Sequence, residues 1–264
     1  MVDKSEKFRW LVRVGYLSRA VLYTLLGFIA LTSIGKIGKG ANGVFNTIAD
    51  FPAGQFILWI LVLGLAAYAL FRFSSAFFDI ENEGSDKKGI ATRVGHAGSG
   101  IGHLALAYSA YKFATAGSSD GNAAQDAASG VLSVTLGSVV LGVLGLAFLA
   151  AAFFQAKKGY SGEFMNRISR RAPDATRIIG GLGYAARAVV FVVIGWSLIQ
   201  SGWFSNSQEV KTLGDAVASL ADDGIWFTLV AIGLVLFGMF SLVLARYRII
   251  PDMDLKGKVP AFRS

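Results

Sequence analysis

Two arginines and two histidines are the side chains of this sequence whose types and positions suggest chemistry. Arg19 and Arg187 adjoin apolar runs, and His96 and His103 are the only histidines of the chain. A guanidinium group binds phosphate or carboxylate through paired hydrogen bonds. Together with Ser99, these side chains would line an anion-binding vestibule open to the cytoplasm if their helices surround one axis. The alternative interpretation is that the arginines anchor helix ends, where a long side chain reaches the lipid head groups.

The spacing of the histidines argues against a shared metal or haem site. Seven residues separate His96 from His103, which returns to nearly the same helix face about 10.5 Å further along the axis. One metal ion does not bridge that distance without other ligands, and the chain has no facing histidine for a haem. We favour a hydrogen bond between helices, with Ser99 on the same stripe; a proton-sensing or ligand-contacting role is the alternative.

Catalytic, cofactor and metal sites are not predicted elsewhere. The chain has no cysteine, which excludes disulfides and thiolate ligands. Its uncharged runs offer no carboxylate pair and no Ser-His-Asp set, and the glycine-rich segment lacks the Gly-Lys-Ser/Thr of a phosphate loop. We therefore expect a protein that is not an enzyme and has no cofactor.

The elements that would position these residues are membrane-spanning helices. Of the 264 residues, 54% are hydrophobic and only 16% are charged, whereas a soluble domain has about 25% charged residues. A spanning helix needs about 20 mainly apolar residues. Six uncharged runs meet or approach that length, and they are 20–35, 51–71, 94–111, 127–156, 188–208 and 224–245. The sequence predicts an all-α polytopic membrane protein with six transmembrane helices.

The distribution of positive charge predicts the orientation. Of the 25 Lys and Arg residues, 21 fall in the termini and in alternate loops. Such an excess marks the cytoplasmic side, so both termini are expected there, in a bacterial plasma (inner) membrane. That side would attract anionic lipid head groups. The basic loop 157–177 would bind head groups or an acidic protein partner, and nucleic acid is not expected.

The chain contains three copies of a two-helix unit. The segments GYLSRAVLYTLLGF, GHAGSGIGHLALAY and GYAARAVVFVVIGW align without gaps. In this alignment Arg19, Ser99 and Arg187 share one position of the repeat, and Tyr16, His96 and Tyr184 share another. We interpret the two tyrosines as interfacial aromatic residues. The second helices align on the following glycines: Gly64, Gly145 and Gly233.

The copies define the domain organisation. Repeat 1 covers residues 1–90, repeat 2 covers 91–175, and repeat 3 covers 176–264 with a cytoplasmic tail. The predicted spans are 16–35 and 55–78, 94–114 and 131–155, and 182–203 and 225–247. Because each repeat crosses the membrane twice, the three hairpins are parallel and related by an axis along the membrane normal.

This pattern resembles the bacterial membrane proteins built from repeats of domain of unknown function 1206. The resemblance rests on the opening Gly15, Tyr16, Arg19, Tyr23, Gly27 and Phe28, which recurs as Gly183, Tyr184, Arg187, Phe191, Gly195 and Trp196. The middle copy departs from it with His96, Ser99, His103 and Ala107. The resemblance covers nearly the whole chain and implies a fold and a location. It implies no reaction, substrate or catalytic residue.

Glycines in the third and fourth spans form small-residue faces. Gly95, Gly98 and Gly102 follow small-xxx-small spacing with Ser99, and Gly142 and Gly145 continue the theme in the fourth span. Such faces let helix backbones approach closely in lipid. We expect these two spans to pack tightly together or against another subunit.

Two functions are consistent with the predicted membrane architecture and the candidate residues. The first is a non-enzymatic accessory or scaffold subunit that binds lipid or protein partners. The alternative is a facilitative carrier or binding protein for a small anion, with its site at the repeat axis. Side chains that converge inward would favour the second function, and side chains that face lipid would favour the first.

Overall fold

The computed structural model describes residues 4–32, 40–116 and 123–250. The predicted end of the first span at residue 35 and the tail beyond residue 250 lie outside these residues. The described chain is helical, and its α-helices are α1 (Lys4–Thr32), α2 (Gly40–Ala49), α3 (Gly54–Phe77), α4 (Lys87–Ala116), α5 (Ala123–Leu132), α6 (Gly137–Ser161), α7 (Thr176–Phe204), α8 (Leu213–Ala218) and α9 (Ile225–Tyr247).

Five of these helices are long and apolar enough to cross a membrane. They contain the segments Phe8–Thr32, Gly54–Phe77, Gly137–Ser161, Thr176–Phe204 and Ile225–Tyr247. The remaining long helix, α4, has 30 residues and a length of about 45 Å. Its first turns carry Lys87, Lys88 and Arg93, which makes it less apolar. A sixth span therefore stays a prediction.

The six long helices follow the order of a ring that is open at one point. Helix α1 packs against α3 and α9, and α7 packs against α9 and α6, while α4 packs against α3. The first helix of each repeat thus contacts the second helix of another repeat. In their described residues, α4 and α6 form no packed interface with each other. They are the two ends of the arc.

Glycines show how the outer two repeats close into hairpins. A Cβ atom on Gly15 would lie 2.9 Å from the Tyr68 Cα atom, and one on Gly183 would lie 2.8 Å from the Phe237 Cα atom. Only glycine permits helix backbones to approach this closely. At the equivalent Gly95 of repeat 2, a Cβ atom would meet no described atom within 4 Å, so the middle hairpin is not closed there.

The first alternative for the third and fourth spans, that they pack together, is therefore wrong for the described chain, and packing against another subunit stays a prediction. Each of these helices is committed to a neighbouring repeat instead. Gly100 of α4 lies against the Phe73 ring, and a Cβ atom on Gly145 of α6 would lie 2.6 Å from the Gly195 carbonyl oxygen of α7. The α4 interface therefore uses a different face from that of Gly95, Gly98 and Gly102, whereas the α6 interface uses the predicted glycines Gly142 and Gly145.

A group of short helices lies at one end of the bundle. Helix α2 packs against α3, α4 and α8, and it buries Phe45 and Ile48. Thr212 and Asp215 form a reciprocal cap at the start of α8. The opposite end of the bundle carries residues 78–87, 162–175 and 248–250, and we call it the arginine-rich end.

Candidate functional site: the axial arginines and the Glu81 cluster

Arg19 of α1 and Arg187 of α7 meet inside the bundle. The residues are only 4% and 8% exposed. Their Cζ atoms lie 4.8 Å and 4.5 Å from the centroid of the same Phe237 ring. Within the described chain, the Nε atoms of both side chains lack a hydrogen-bond partner. The interpretation of these arginines as anchors that reach the head groups is wrong because both side chains are enclosed by other helices.

Aromatic side chains surround the first axial arginine. The Tyr68 hydroxyl accepts hydrogen bonds from Arg19 Nη1 and from Arg72 Nε, the latter at 2.8 Å. The Arg19 Cζ atom also lies 4.7 Å from the Tyr68 ring centroid and 5.4 Å from that of Tyr16. Cation–π contacts of this kind stabilise a desolvated guanidinium group.

The second axial arginine has a similar aromatic surround. The Arg187 Cζ atom lies 5.3 Å from the Tyr23 ring centroid and 4.8 Å from that of Phe191. Among the described residues, neither Arg187 nor Arg19 has a carboxylate within ion-pair distance. Two buried cations thus share an aromatic environment with no neutralising carboxylate among the described residues.

The two tyrosines expected at the membrane interface lie in the protein interior instead. Tyr16 is fully buried and packs edge-on against Tyr68. Tyr184 is half-buried and contacts Phe164, Phe237 and Phe240. The interfacial interpretation is wrong because these rings fill contacts between helices, both within a repeat and between repeats.

The histidines occupy two different environments. His103 is 5% exposed, and its Nδ1 atom lies 2.7 Å from the Ser99 backbone oxygen of the same helix. Its ring lies 4.4 Å from the Tyr68 ring, and its Nε2 atom has no partner in the described protein. His96 Nε2 lies 3.3 Å from a Glu81 carboxylate oxygen. The predicted hydrogen bond from histidine to another helix is therefore wrong for His103.

A buried carboxylate, Glu81, joins all three repeats at the arginine-rich end. It is 3% exposed and pairs with Arg72 of repeat 1 at 3.3 Å, with Arg167 of repeat 2 at 3.4 Å, and with Arg248 of repeat 3. Burial alone would raise the pKa of Glu81, but Arg248, Arg72, His96 and Arg167 outweigh burial and hold that pKa well below its usual range.

The same cluster offers a set of potential metal ligands. One ligand atom from each of Glu81, Glu83 and His96 lies within 4.8 Å of the others. However, Arg72, Arg167 and Arg248 already neutralise the carboxylates, and Arg167 Nη2 donates to Glu83 at 2.6 Å. Three guanidinium groups disfavour a divalent cation at this position. The cluster is better described as an ionic lock between repeats.

A basic surface pocket of about 360 Å³ opens at the arginine-rich end. Arginines from three segments line it, and they are Arg13, Arg171, Arg246 and Arg248. The Arg248 Cζ atom lies 5.4 Å from the Tyr16 ring centroid, and Tyr16 in turn contacts Arg19. The Tyr16 ring therefore lies between Arg248 of the surface pocket and Arg19, one of the two axial arginines.

The predicted packing glycines fall into two groups. In the part of the chain that the structure describes, a Cβ atom on Gly95, Gly98 or Gly102 would meet nothing within 4 Å, whereas Gly145 packs against α7. Gly142 takes part in the same interface through its backbone nitrogen, 3.2 Å from the Cβ position of Gly202. The first three glycines thus lie on an unpacked face of α4.

Sequence reasoning found the axial arginines but missed the residues that hold them. Tyr68, Arg72, Glu81 and Arg248 entered only as apolar or loop residues. A signal was available for Arg72, because it follows the apolar run 51–71 directly and lies one helical turn after Tyr68. Nothing in the spacing of Glu81 indicated that side chains from three repeats converge on it.

Comparisons with known proteins agree with the threefold repetition. A family model described as Domain of Unknown Function (DUF1206) matches residues 14–79, 94–162 and 182–248. The chain is also 26% identical over 258 residues to the uncharacterized protein YxxB of Bacillus subtilis (strain 168). The aligned region covers 93% of this chain and 94% of that protein. No solved structure matches the chain.

Proposed function

Because this chain belongs to the family described as Domain of Unknown Function (DUF1206), whose description assigns no activity, we propose a function from the site itself. The protein binds an anion at the axial arginines, as a facilitative carrier or a binding protein. The observation that carries this proposal is the burial of Arg19 and Arg187 against one Phe237 ring without a carboxylate partner in the described residues.

The energetics of buried charge support an anionic ligand. An uncompensated cation in a low-dielectric interior costs several kcal/mol, and aromatic rings offset only part of that cost. A phosphate or carboxylate group would accept hydrogen bonds from the Arg19 and Arg187 Nε atoms, which have no partner among the described residues, and would neutralise the charge of both side chains. Planar guanidinium forks match the oxygen geometry of both anions.

The surface pocket at the arginine-rich end supplies an approach to this site. Its four arginines raise the local concentration of anions, and Arg248 lies next to the Tyr16 ring that Arg19 also contacts. We propose that an anion enters from this pocket and reaches Arg19 after a movement of Tyr16. The positive-inside pattern supports a cytoplasmic position for the pocket.

The membrane arrangement completes the proposal. We propose six spans, with α4 as the third, in a bacterial plasma (inner) membrane and with both termini in the cytoplasm. The packing of α4 along α3 and the length of α4 support the sixth span. We further propose that anion binding is not coupled to a chemical reaction. The accessory or scaffold role is less well supported, because the arginines converge inward rather than toward lipid.

Isothermal titration of inorganic phosphate into the protein in lipid nanodiscs tests this proposal. We expect saturable binding that is weakened at least about tenfold in Arg19→Gln and Arg187→Gln, a loss of about 1.4 kcal/mol or more. Arg170→Gln is the matched control because Arg170 is an exposed arginine of the same end. Equal phosphate binding by the wild type and both axial variants would refute the proposed function. Thermal unfolding of each variant separates lost binding from lost folding.

A further inference from the structure

At the open side of the bundle, residues of repeat 2 are exposed where the equivalent residues of repeats 1 and 3 are buried. Ser18 and Ala186 are buried where α1 meets α3 and where α7 meets α9, but the equivalent Gly98 of α4 is exposed. Likewise Leu65 and Leu234 are 0% exposed, whereas the equivalent Leu146 of α6 is 61% exposed. We call this surface the seam and define it by these residues: Gly95, Gly98, Gly102, Leu146 and Phe153.

Each wall of the seam leads through one aromatic ring to one axial arginine. On the α4 side, His103 contacts Tyr68, whose hydroxyl accepts a hydrogen bond from Arg19. On the α6 side, Phe148 lies 5.4 Å from the Phe191 ring, over which the Arg187 guanidinium group lies at 4.8 Å. The helices on both sides of the seam therefore each contact an aromatic ring that also contacts an axial arginine.

From this juxtaposition we propose that the bound anion is the headgroup of an anionic membrane lipid whose acyl chain lies in the seam. This inference rests on the proposed function and names its ligand class. The buried arginines provide the charge complement to the headgroup, and the unpartnered Nε2 atom of His103 adds a polar contact beside it. The apolar seam opens sideways between two spanning helices, where acyl chains are the surrounding medium.

The glycines of α4 leave space in the seam that a side chain would otherwise fill. Among the described residues, a Cβ atom at Gly98 or Gly102 would meet nothing within 4 Å, so a larger residue there begins in open space instead of straining the helix. Leucine also has a higher helix propensity than glycine. A leucine at either position is therefore a plug that leaves the remaining interfaces of α4 intact.

The test measures phosphatidylglycerol and inorganic phosphate separately. Native mass spectrometry of protein released from phosphatidylglycerol-containing nanodiscs counts retained lipid, and titration calorimetry measures phosphate binding. We expect Gly98→Leu to reduce retained phosphatidylglycerol at least about tenfold while phosphate binding is unchanged. Gly102→Leu is a second plug. Thr228→Leu is the control, since Thr228 lies on the exposed face of α9, and it should change neither quantity.

The outcomes distinguish this inference from the proposed function. Retention of phosphatidylglycerol by both plug variants at the wild-type level overturns the lipid inference, even where phosphate binding by Arg19 and Arg187 stands. Phosphate binding that survives in both arginine variants removes the proposed function and the lipid inference together. A dimer that dissociates in Gly98→Leu without loss of lipid assigns the seam to a second copy of the chain and also overturns the inference.

Discussion

Gly183 lies directly against Phe237, so that a Cβ atom on the glycine would come within 2.8 Å of the phenylalanine Cα atom. The same relationship joins Gly15 to Tyr68 in the first repeat, where the distance is 2.9 Å. In both repeats this contact places an aromatic residue of the second helix beside the arginine of the first. Close helix approach and the aromatic surround of the axial arginines are therefore one feature of the repeat.

Replacing the first glycine of the repeat motif should destabilise the protein in repeat 3 but not in repeat 2. Gly183→Ala should lower the free energy of unfolding by about 1–3 kcal/mol, because the new methyl group overlaps backbone atoms of α9. Gly95→Ala, at the equivalent position of repeat 2, should be neutral or stabilising by up to about 1 kcal/mol, since alanine is the better helix former. Thermal unfolding of the two variants in detergent measures both effects. Equal destabilisation would show that the middle hairpin is closed.

Glu81 should contribute stability that disappears in acid. Because the folded protein holds the pKa of Glu81 well below its usual range, the unfolded chain binds a proton at a higher pH than the folded chain does. The contribution is therefore fully present above the unfolded pKa of about 4.3 and is lost as the pH falls toward the folded pKa.

The variant Glu81→Gln isolates this contribution. At pH 7 it should unfold more easily by about 3 kcal/mol, the typical cost of removing one partner of a buried ion pair. The difference from the wild type should shrink between pH 5 and pH 3 in thermal unfolding measurements, a window set by that unfolded pKa. Glu163→Gln is the control, since Glu163 is exposed. A difference that stays constant with pH would argue that Glu81 has the same pKa in the folded protein as in the unfolded chain.

The Tyr68 hydroxyl links the axial site to the Glu81 cluster. It accepts hydrogen bonds from both Arg19 and Arg72, so Tyr68→Phe leaves one buried and one partly buried donor without this acceptor. We expect a loss of stability of about 1–3 kcal/mol and weaker phosphate binding, because Arg19 is no longer held in place. Tyr160→Phe provides the control on a ring that is 94% exposed. Unchanged stability and binding in Tyr68→Phe would remove this residue from the site.

The repeat pattern predicted much of the fold, for a physical reason. Apolar length fixes which helices can cross a membrane, and five long apolar helices are present. The alignment of Arg19 with Arg187 also predicted that two guanidinium groups would occupy equivalent places. These features depend on local sequence and on repeat register, both of which are visible along the chain.

The contacts between repeats were not predictable in the same way. Small-residue spacing on α4 identified a face able to pack closely, but it did not specify a partner, and the face of Gly95 and Gly98 is unpacked. Glu81 collects Arg72, Arg167 and Arg248 from positions far apart in sequence. Such convergence follows from the order of helices around the ring, which no spacing within one helix encodes.

If the seam is filled by lipid, a nitroxide label placed in it should be accessible to molecular oxygen. Oxygen is concentrated in the bilayer interior and broadens the spectrum of a nitroxide label on contact. Since the chain has no cysteine, the variants Gly98→Cys, Ala186→Cys and Thr228→Cys each carry a single label. Gly98 is exposed on α4 and Thr228 on α9, whereas Ala186 is buried at the equivalent position of repeat 3. In bilayers, the label at Gly98 should match the label at Thr228 in oxygen accessibility and exceed the label at Ala186.

Accessibility at Gly98 as low as at Ala186 would mean that α4 and α6 close against each other in the membrane as the other hairpins do. Because an acyl chain admits oxygen and a packed helix interface excludes it, the comparison separates a lipid-filled seam from a protein-filled one.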